Sequence, residues 1–292
     1  MEEYKRLGGL SPIVVENMNC KSLPEACLWE NKMKAILAKH THEQSPRLLL
    51  ILGQEGWSSY LSQDSFPFGE VPLLCGMISR NAVLLPDSGT NLSDWDPESL
   101  DIQSFVKKGH HVYGSIYEYN VQKNIELIRQ IYPNTQHIAL VTDNTYGGVA
   151  LQSYVKKEMK KVPDLNLILL DGRKNNIYTI IEQIKNLPKE TVILLGTWRV
   201  DVNEGYYVGN ATYTMMSANP SLPTFTLTTT GLSHWAIGGY VPQYRTVGKE
   251  LARQAVKLLS QPQQSHVNIQ TEILPNHYIF DVLKLRQFHI GT

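Results

Sequence analysis

The chain is organised around one run of residues, Pro223-Thr-Phe-Thr-Leu-Thr-Thr-Thr-Gly-Leu-Ser-His-Trp-Ala-Ile-Gly-Gly-Tyr-Val-Pro-Gln-Tyr-Arg245. Its first part predicts a short strand over 224–228, because apolar residues alternate with threonines as on a half-buried pleated surface. A polar loop with Gly231 follows, and then Gly238-Gly239, which tolerate backbone angles that other residues resist. Residues 244–260 predict an amphipathic helix. A polar loop between a predicted strand and a predicted helix suggests a hinge, provided that the rest of the chain forms two lobes for it to join.

Strand and helix patterns alternate along the rest of the chain. Strands are predicted at 13–15, 47–53, 71–77, 137–142, 165–170 and 191–196. Helices are predicted at 25–39, 58–61, 100–108, 121–131, 149–161, 177–187 and 205–216. This order is typical of βαβ units with mostly parallel sheets. The two series, 12–112 and 121–228, predict two α/β lobes joined by the aromatic stretch His111–Tyr119, and the tail 278–288 predicts a third crossing.

The composition excludes several classes of protein. The 292 residues carry 27 basic and 27 acidic side chains, a formal net charge of zero, which argues against binding to nucleic acid or an anionic membrane. An apolar content of 42% with 18% charged residues indicates a globular chain with a sizeable core. Apolar runs such as Leu48–Leu52 are far shorter than the roughly 18 residues that cross a bilayer. Residues 1–6 have no apolar stretch behind them, as in an excised mature domain or a chain without a signal peptide.

Catalytic and metal-binding patterns are scarce. Gly231-Leu-Ser-His lacks the second glycine of a nucleophile elbow, and Gly147-Gly148 lacks the lysine of a phosphate-binding loop. Cys20, Cys27 and Cys75 show no zinc-binding spacing. The first two either close a small disulfide loop in an oxidising compartment or remain separate thiols. The sequence therefore predicts a protein without catalytic activity, cofactor or metal.

Four stretches of the sequence carry a resemblance to a known family. They are Leu48-Leu-Leu-Ile-Leu-Gly-Gln-Glu-Gly56, Val71-Pro-Leu-Leu-Cys-Gly76, Asn124-Ile-Glu-Leu-Ile-Arg-Gln-Ile-Tyr-Pro-Asn-Thr-Gln-His-Ile-Ala-Leu-Val141, and Gly238-Gly-Tyr-Val-Pro242 with Gly248-Lys-Glu-Leu-Ala-Arg-Gln-Ala255. Together they resemble type I periplasmic binding proteins, in the ABC-type substrate-binding branch and its relatives that serve as extracytoplasmic sensors of bacterial histidine kinases. The ending, 275–290, is similar to the way in which the kinase-linked sensor domains close.

The resemblance implies an α/β fold of two Rossmann-like lobes, with parallel sheets joined by three crossings. The first lobe is expected to comprise 1–116 and 236–274, and the second 117–235 and 275–292. Gly114, Gly238 and Gly239 are the expected hinge residues. The resemblance also implies that a small molecule binds in the interlobe cleft and that lobe closure is the output.

Ligands of open α/β sheets sit beyond the carboxyl ends of the strands, so the resemblance nominates residues that follow the strands or lie in the crossings. From the first lobe these are Asn17, Trp29, Gln54, Glu55, Trp57 and Met77. From the crossings they are Tyr113, Tyr117 and His234. From the second lobe they are Asp143, Asn144, Tyr146, Thr197, Trp198, Asp201, Thr229 and Thr230. Aromatic, amide, carboxylate and hydroxyl groups suit a polar small ligand.

Each nomination has a structural alternative. Asp143-Asn144 equally suits a helix cap, Trp57 and Trp198 equally suit rim packing, and His234 suits an ordinary loop histidine. Tyr113 and Tyr117 equally suit packing of the hinge.

The functional expectation is an extracytoplasmic, periplasmic ligand-binding sensor domain of a two-component (hybrid) histidine kinase, acting in signal transduction. Its expected partner is a small molecule, with pairing of two copies left open, and with no nucleic acid and no insertion into the membrane. The alternative is the solute-binding protein of an ABC transporter. The effector core of a transcription regulator shares the fold, but neither a helix-turn-helix head nor a basic patch is present in the sequence.

Overall fold

The structure is a computed structural model that describes residues 1–41, 45–69, 71–102, 112–207, 210–244, 247–260 and 270–291. The strands are β1 Leu49–Leu52, β2 Leu73–Ser79, β3 Asn81–Ala82, β4 Leu100–Asp101, β5 Val112–Tyr117, β6 His137–Thr142, β7 Asn166–Asp171, β8 Thr191–Leu195, β9 Thr224–Thr226, β10 Gly238–Pro242, β11 Gln270–Ile273 and β12 Asn276–Phe280. The helices are α1 Glu2–Arg6, α2 Ala26–Thr41, α3 Gln54–Leu61, α4 Val121–Ile131, α5 Tyr146–Met159, α6 Ile177–Lys185, α7 Asn210–Met216, α8 Val247–Ser260 and α9 Val282–Gln287.

The chain divides into two compact units. Unit 1 comprises Met1–Thr90, Leu100–Glu118 and Gln243–Pro275, and unit 2 comprises Asn91–Ser99, Tyr119–Pro242 and Asn276–Thr292. The chain therefore passes between the units after Thr90, Ser99, Glu118, Pro242 and Pro275.

Unit 1 is built on a parallel four-stranded sheet in the order β1-β2-β5-β11. On one face α2 and α3 pack their apolar side chains, including Met33 and Trp57, against the sheet. On the other face α1 and α8 cover Leu74, which is fully buried. Leu50 is the partner of Leu74 on the edge strand β1 and is 47% exposed, so the helical cover on this face ends at β2.

Unit 2 is built on a six-stranded sheet in the order β12-β10-β9-β8-β6-β7, parallel except for the antiparallel pair β10–β12. Successive residues of β6 point to opposite faces. Ile138 and Leu140 enter a cluster with α4 and α5, while Ala139 and Val141 enter a cluster with α6 and α7. Side-chain caps fix the starts of α4, α5 and α6, at Asn120, Thr145 and Asn176 respectively.

The sequence predicted the βαβ order and several elements residue for residue, including α4 and β6. The strand predicted at Ile13–Val15 is wrong. This run is exposed and lies outside every described sheet. The helix predicted over 205–216 begins only at Asn210, and most of the one predicted over 100–108 lies outside the described residues.

The observed units differ from the expected lobes by one or two residues near 117 and 275, and by longer segments at two places. Residues 236–242 belong to unit 2 rather than to the first lobe, because β10 pairs with β9 on one side and β12 on the other. The segment Asn91–Ser99 also belongs to unit 2, although the chain on both sides of it lies in unit 1.

The glycines expected at hinges lie inside strands. A Cβ atom on Gly238 would stand 2.3 Å from the carbonyl oxygen of Ile279, and one on Gly239 would stand 2.1 Å from that of Thr226. These two residues therefore allow the close approach of neighbouring strands, and the hinge role expected of them stays a prediction. Gly114 has a φ of +129° and lies against the backbone of Cys75 in β2, so only glycine fits there.

Candidate functional site

Several nominated residues of unit 2 follow the carboxyl ends of β6 and β8, which are neighbours in the sheet. Asp143 is buried and accepts hydrogen bonds from the hydroxyl groups of Thr145 (2.6 Å) and Thr197 (3.1 Å). The backbone N–H groups of Arg199 and Thr145 also donate to it. Burial raises the pKa of Asp143, and these donors oppose the shift. The carboxylate therefore holds the two strand-end loops together.

Asp201 has a similar structural role. Its carboxylate accepts from the backbone N–H groups of Ile177 at 3.0 Å and Asn203 at 2.9 Å. The Tyr207 hydroxyl group also donates to it, and this bond raises the pKa of Tyr207. Because Asp201 is fully buried, its oxygen atoms serve the first turn of α6 and the adjoining loop rather than a ligand.

Four nominated aromatic residues are buried within the cores of the two units, and their nomination as ligand contacts stays a prediction. Trp57 is 1% exposed and packs with Tyr60 in unit 1, and Trp198 is 3% exposed and belongs to the apolar cluster that includes residues of α6 and α7 in unit 2. Trp29 and Tyr146 are buried as well.

The accessible polar groups at this edge of unit 2 are fewer. Asn144 and Thr197 are half-buried, and the Asn144 amide donates to the carbonyl oxygen of Asp201 at 3.1 Å. Thr229 is exposed and Thr230 is half-buried. His234 is exposed, and its ring lies 5.5 Å from that of Trp235.

Arg199 is the residue that the sequence analysis missed. Its backbone N–H bonds to Asp143, and its carbonyl oxygen accepts from the Tyr207 N–H at 2.8 Å. This leaves an exposed guanidinium on a firmly held segment of the strand-end loop. Its place between two nominated residues, Thr197 and Asp201, was the signal that could have identified it.

Gln54 organises the corresponding edge of unit 1. Its side-chain N–H donates to the carbonyl oxygen of Asn81 at 3.0 Å, and its side-chain oxygen accepts from the Ser79 N–H at 3.1 Å and the Tyr117 hydroxyl at 3.3 Å. One amide thus joins the first residue of α3 to the ends of β2 and β5 and to the start of β3.

Met77 is the least ordinary residue at this edge. It has a φ of +57°, a left-handed conformation that is rare outside glycine, and its side chain is 60% exposed. The register between β2 and β5 shifts between Cys75 and Ile78, so Met77 lies in a bulge. Strained positions of this kind cluster at binding sites.

The remaining nominations in unit 1 are less closely organised. Asn17 is exposed and accepts from the backbone N–H of Asn19 at 2.8 Å, a local turn. Glu55 is half-buried. Burial of Cys20 raises the pKa of its thiol to about 11, and the negative charge of Glu55 contributes to the same shift. Cys20 and Cys27 are free thiols. Tyr113 packs toward α8.

Tyr117 packs against another aromatic residue of unit 1. Its ring meets that of Tyr244 edge-on, with a centroid distance of 5.3 Å.

Within the described ranges, no group of three or more His, Cys, Asp or Glu side chains has an arrangement suited to a metal ion. No helix in that part of the chain combines the length and the apolar character needed to span a membrane.

No family model matches the sequence, and no curated protein matches it significantly. Among solved structures, a conserved domain protein from Vibrio cholerae is 15% identical, with a TM-score of 0.58 over 99% of this chain and 88% of that one. A ligand-free, open substrate binding protein with adhesive properties from Clostridium difficile is 12% identical, with a TM-score of 0.56 over 100% and 88%. An ABC transporter solute binding protein from Agrobacterium vitis, with bound allitol, is 13% identical, with a TM-score of 0.51 over 99% and 90%.

These likenesses and the two parallel-stranded α/β units define the class of fold. The chain has the type I periplasmic binding protein fold, as the sequence predicted.

Proposed function

We propose that this protein binds a small molecule through residues at the carboxyl ends of the strands of both units, without catalysing a reaction on it. Binding shifts an equilibrium between open and closed arrangements, because the ligand has a higher affinity for the closed one. The observation that carries the proposal is the strained, exposed Met77 at the end of β2. Folding alone gives no reason to keep an apolar side chain exposed on a left-handed backbone.

The hydrogen-bonded strand ends of both units support the same proposal. Gln54 in unit 1 and Asp143 in unit 2 hold the strand ends in place through several hydrogen bonds each. Such fixed loops reduce the ordering cost of binding. We assign direct contacts to Met77, Asn144, Thr197, Thr229, Thr230 and Arg199, whose side chains are at least partly accessible.

The biological setting that we propose is the extracytoplasmic sensor domain of a bacterial hybrid histidine kinase, in which closure is passed on as a signal. The alternative is a solute-binding protein that delivers its ligand to an ABC transporter. The solute-binding neighbours favour this alternative as much as the sensor. The intact gene distinguishes them, since a sensor continues into a membrane span and a kinase.

A thermal-shift screen tests the binding proposal. Probes are the twenty amino acids, common polyols and mono- and disaccharides, because ligand binding to the native state raises the melting temperature by mass action. A compound that raises the melting temperature is then titrated calorimetrically and tested for compaction by X-ray scattering.

Met77→Ala and Asn144→Ala should weaken binding at least about tenfold, a loss of roughly 1.4 kcal/mol. The control Leu283→Ala removes a similarly exposed apolar side chain from α9 and should bind normally. A bound compound that leaves the radius of gyration unchanged contradicts lobe closure.

A further inference from the structure

Residues Asn91–Ser99, which we term the strap, take an unusual path. The chain leaves unit 1 after Thr90, lies on unit 2 for the length of the strap, and returns to unit 1 at Leu100, where β4 pairs with β3. The strap is thus an additional connection besides the crossings near 118, 242 and 275.

Helix α5 provides one side of the seat for the strap. The Ser153 hydroxyl donates to the carbonyl oxygen of Pro97 at 2.5 Å, and the Lys157 ammonium donates to that of Ser99 at 3.1 Å. Lys156 pairs with Asp96. Positions 153, 156 and 157 lie on one face of a helix. Ser153 is buried, so its bond to the strap is shielded from water.

Arg173 provides the second set of contacts that hold the strap on unit 2. Its guanidinium is buried, pairs with the carboxylate of Asp171 at 2.7 Å, and donates to the carbonyl oxygens of Trp95 and Leu92. A buried arginine is costly when its donors are unsatisfied. The strap carbonyls therefore complete a site that would be destabilised without them. Lys174 adds a pair with Asp94, exposed on both sides and so of small energetic weight.

Hydrogen bonds also connect Arg173 and Asp171 to the carboxyl end of β6, where candidate binding residues of unit 2 lie. Asp171 accepts from the side-chain N–H of Gln152 at 3.1 Å, and the side-chain oxygen of Gln152 accepts from the Thr142 hydroxyl at 2.8 Å. Thr142 directly precedes Asp143 in the sequence. A continuous series of hydrogen bonds thus runs from the strap, through Arg173, to the end of β6.

We propose that the strap is a releasable latch, and that Arg173 is the positioning residue that couples its seating to the carboxyl end of β6. A seated strap restricts the motion of unit 1 relative to unit 2 beyond the restriction that the other crossings impose. Release of the strap removes two acceptors from Arg173 and loosens the segment 142–148 through Asp171 and Gln152. This property goes beyond ligand binding and is present in the ligand-free protein.

Native-state proteolysis of the ligand-free chain tests the latch. The strap contains Asp94, Asp96 and Glu98, so a protease specific for acidic residues cleaves it when it leaves its seat. Ser153→Ala removes one buried hydrogen bond and should accelerate cleavage within the strap about fivefold, while Arg173→Met should accelerate it more. The matched controls are Ser221→Ala and Arg129→Met, which remove local or exposed contacts elsewhere in unit 2 and should leave strap cleavage unchanged.

Hydrogen exchange of the same variants separates coupling from simple attachment. In Arg173→Met, amide exchange over 142–148 should rise along with strap cleavage, whereas in Ser153→Ala only the strap should respond. If Arg173→Met does not fold, Arg173→Lys, which keeps the charge but not the forked donor geometry, takes its place. Strap cleavage that rises only in proportion to cleavage elsewhere in unit 2 would overturn the latch. Unchanged exchange over 142–148 in Arg173→Met would overturn the coupling. Because no ligand is present, either failure leaves the proposed binding function to its own test.

Discussion

The side chain of Asn124 hydrogen-bonds to both backbone polar groups of Tyr240. Its oxygen accepts from the Tyr240 N–H at 2.9 Å, and its N–H donates to the Tyr240 carbonyl oxygen at 3.0 Å. Strand β9 pairs with β10 at Gly238, so this buried amide continues the pairing beyond the end of β9. It fixes β10 just before the chain enters unit 1 after Pro242.

Replacement of Asn124 should therefore destabilise unit 2 strongly. Asn124→Leu leaves the N–H and C=O of Tyr240 without these partners, at a cost of about 2–4 kcal/mol in the free energy of unfolding. Asn124→Asp keeps an acceptor for the N–H but places a carboxylate against the carbonyl oxygen, and should cost at least as much. Urea unfolding measures both. Asn186→Leu, at an exposed helix end, is the control and should change the value by less than about 1 kcal/mol. A loss below that for Asn124→Leu would mean that water replaces the amide.

Two glycine-to-alanine changes should have opposite effects. At Gly114 a Cβ atom would lie 1.9 Å from the Cys75 carbonyl oxygen, and the φ of +129° disfavours any other residue. Gly114→Ala should therefore lose more than about 3 kcal/mol of stability or fail to fold. Gly248 lies in α8, and a Cβ atom there would meet nothing within 4 Å beyond its chain neighbours and the backbone of its own helix. Gly248→Ala should gain about 0.5–1 kcal/mol, because alanine favours the helix. Thermal and urea unfolding measure both, and a tolerated Gly114→Ala would show that β2 and β5 can separate.

The fold was predictable because its signals are local. Apolar runs such as 137–142 with intervening helical periods specify βαβ units wherever they fall in the chain. The strand predicted at Ile13–Val15 failed because β-branched residues indicate a preference for strands without identifying a pairing partner. Gly238-Gly239 illustrate a similar limit of the sequence. The sequence shows which residues lack a side chain, but not that another backbone occupies the space.

The candidate site was less predictable. The predicted strand ends located the loops that follow the strands, but the sequence does not show which side chains in a loop face inward. The Asp143 carboxylate is used in internal hydrogen bonds, and Trp198 packs in the core. Arg199, which the sequence analysis did not nominate, is exposed. Met77 was nominated only because it lies at the end of a predicted strand, and its strained φ angle is visible only in the structure.

The pH dependence of stability should report on Asp143. Burial raises its pKa above the ordinary value of 3.8. The folded state therefore binds the proton more tightly than the unfolded chain does. This contribution to stability is fully present below the ordinary pKa and is lost as the pH rises through the folded pKa.

Asp143→Asn removes that contribution and turns an amide N–H toward groups that donate to the carboxylate. The variant should be less stable than the wild type at every pH, with a larger deficit at about pH 4.5 than at about pH 7. Urea unfolding at several pH values measures this, with the exposed Asp164→Asn as control. A deficit that shrinks toward acid would mean that the donors outweigh burial.

Thiol alkylation should distinguish the cysteines. Cys20 has a pKa raised to about 11 by burial and the nearby charge of Glu55, and burial raises the pKa of Cys75 to about 12. Both should react slowly with iodoacetamide at about pH 8, since only the thiolate is nucleophilic. Glu55→Gln should accelerate alkylation of Cys20 but not of Cys75, whereas the exposed Glu204→Gln should change neither. Peptide mass spectrometry over time follows each site. Equal Cys20 rates in the wild type and Glu55→Gln would mean that the charge of Glu55 does not contribute to the raised pKa.

Met77 offers the sharpest separation of stability from function. Glycine adopts a φ of +57° without the steric cost that methionine bears, so Met77→Gly should raise the free energy of unfolding by up to about 1 kcal/mol. The same change removes the exposed side chain at the end of β2, so any ligand found in the screen should bind at least about tenfold more weakly. Met77→Ala retains the backbone strain and should weaken binding without gaining stability. Calorimetry and urea unfolding of the pair resolve the two effects. A Met77→Gly variant that binds normally would show that the ligand does not contact this position, and the strain would then belong to the bulge between β2 and β5 alone.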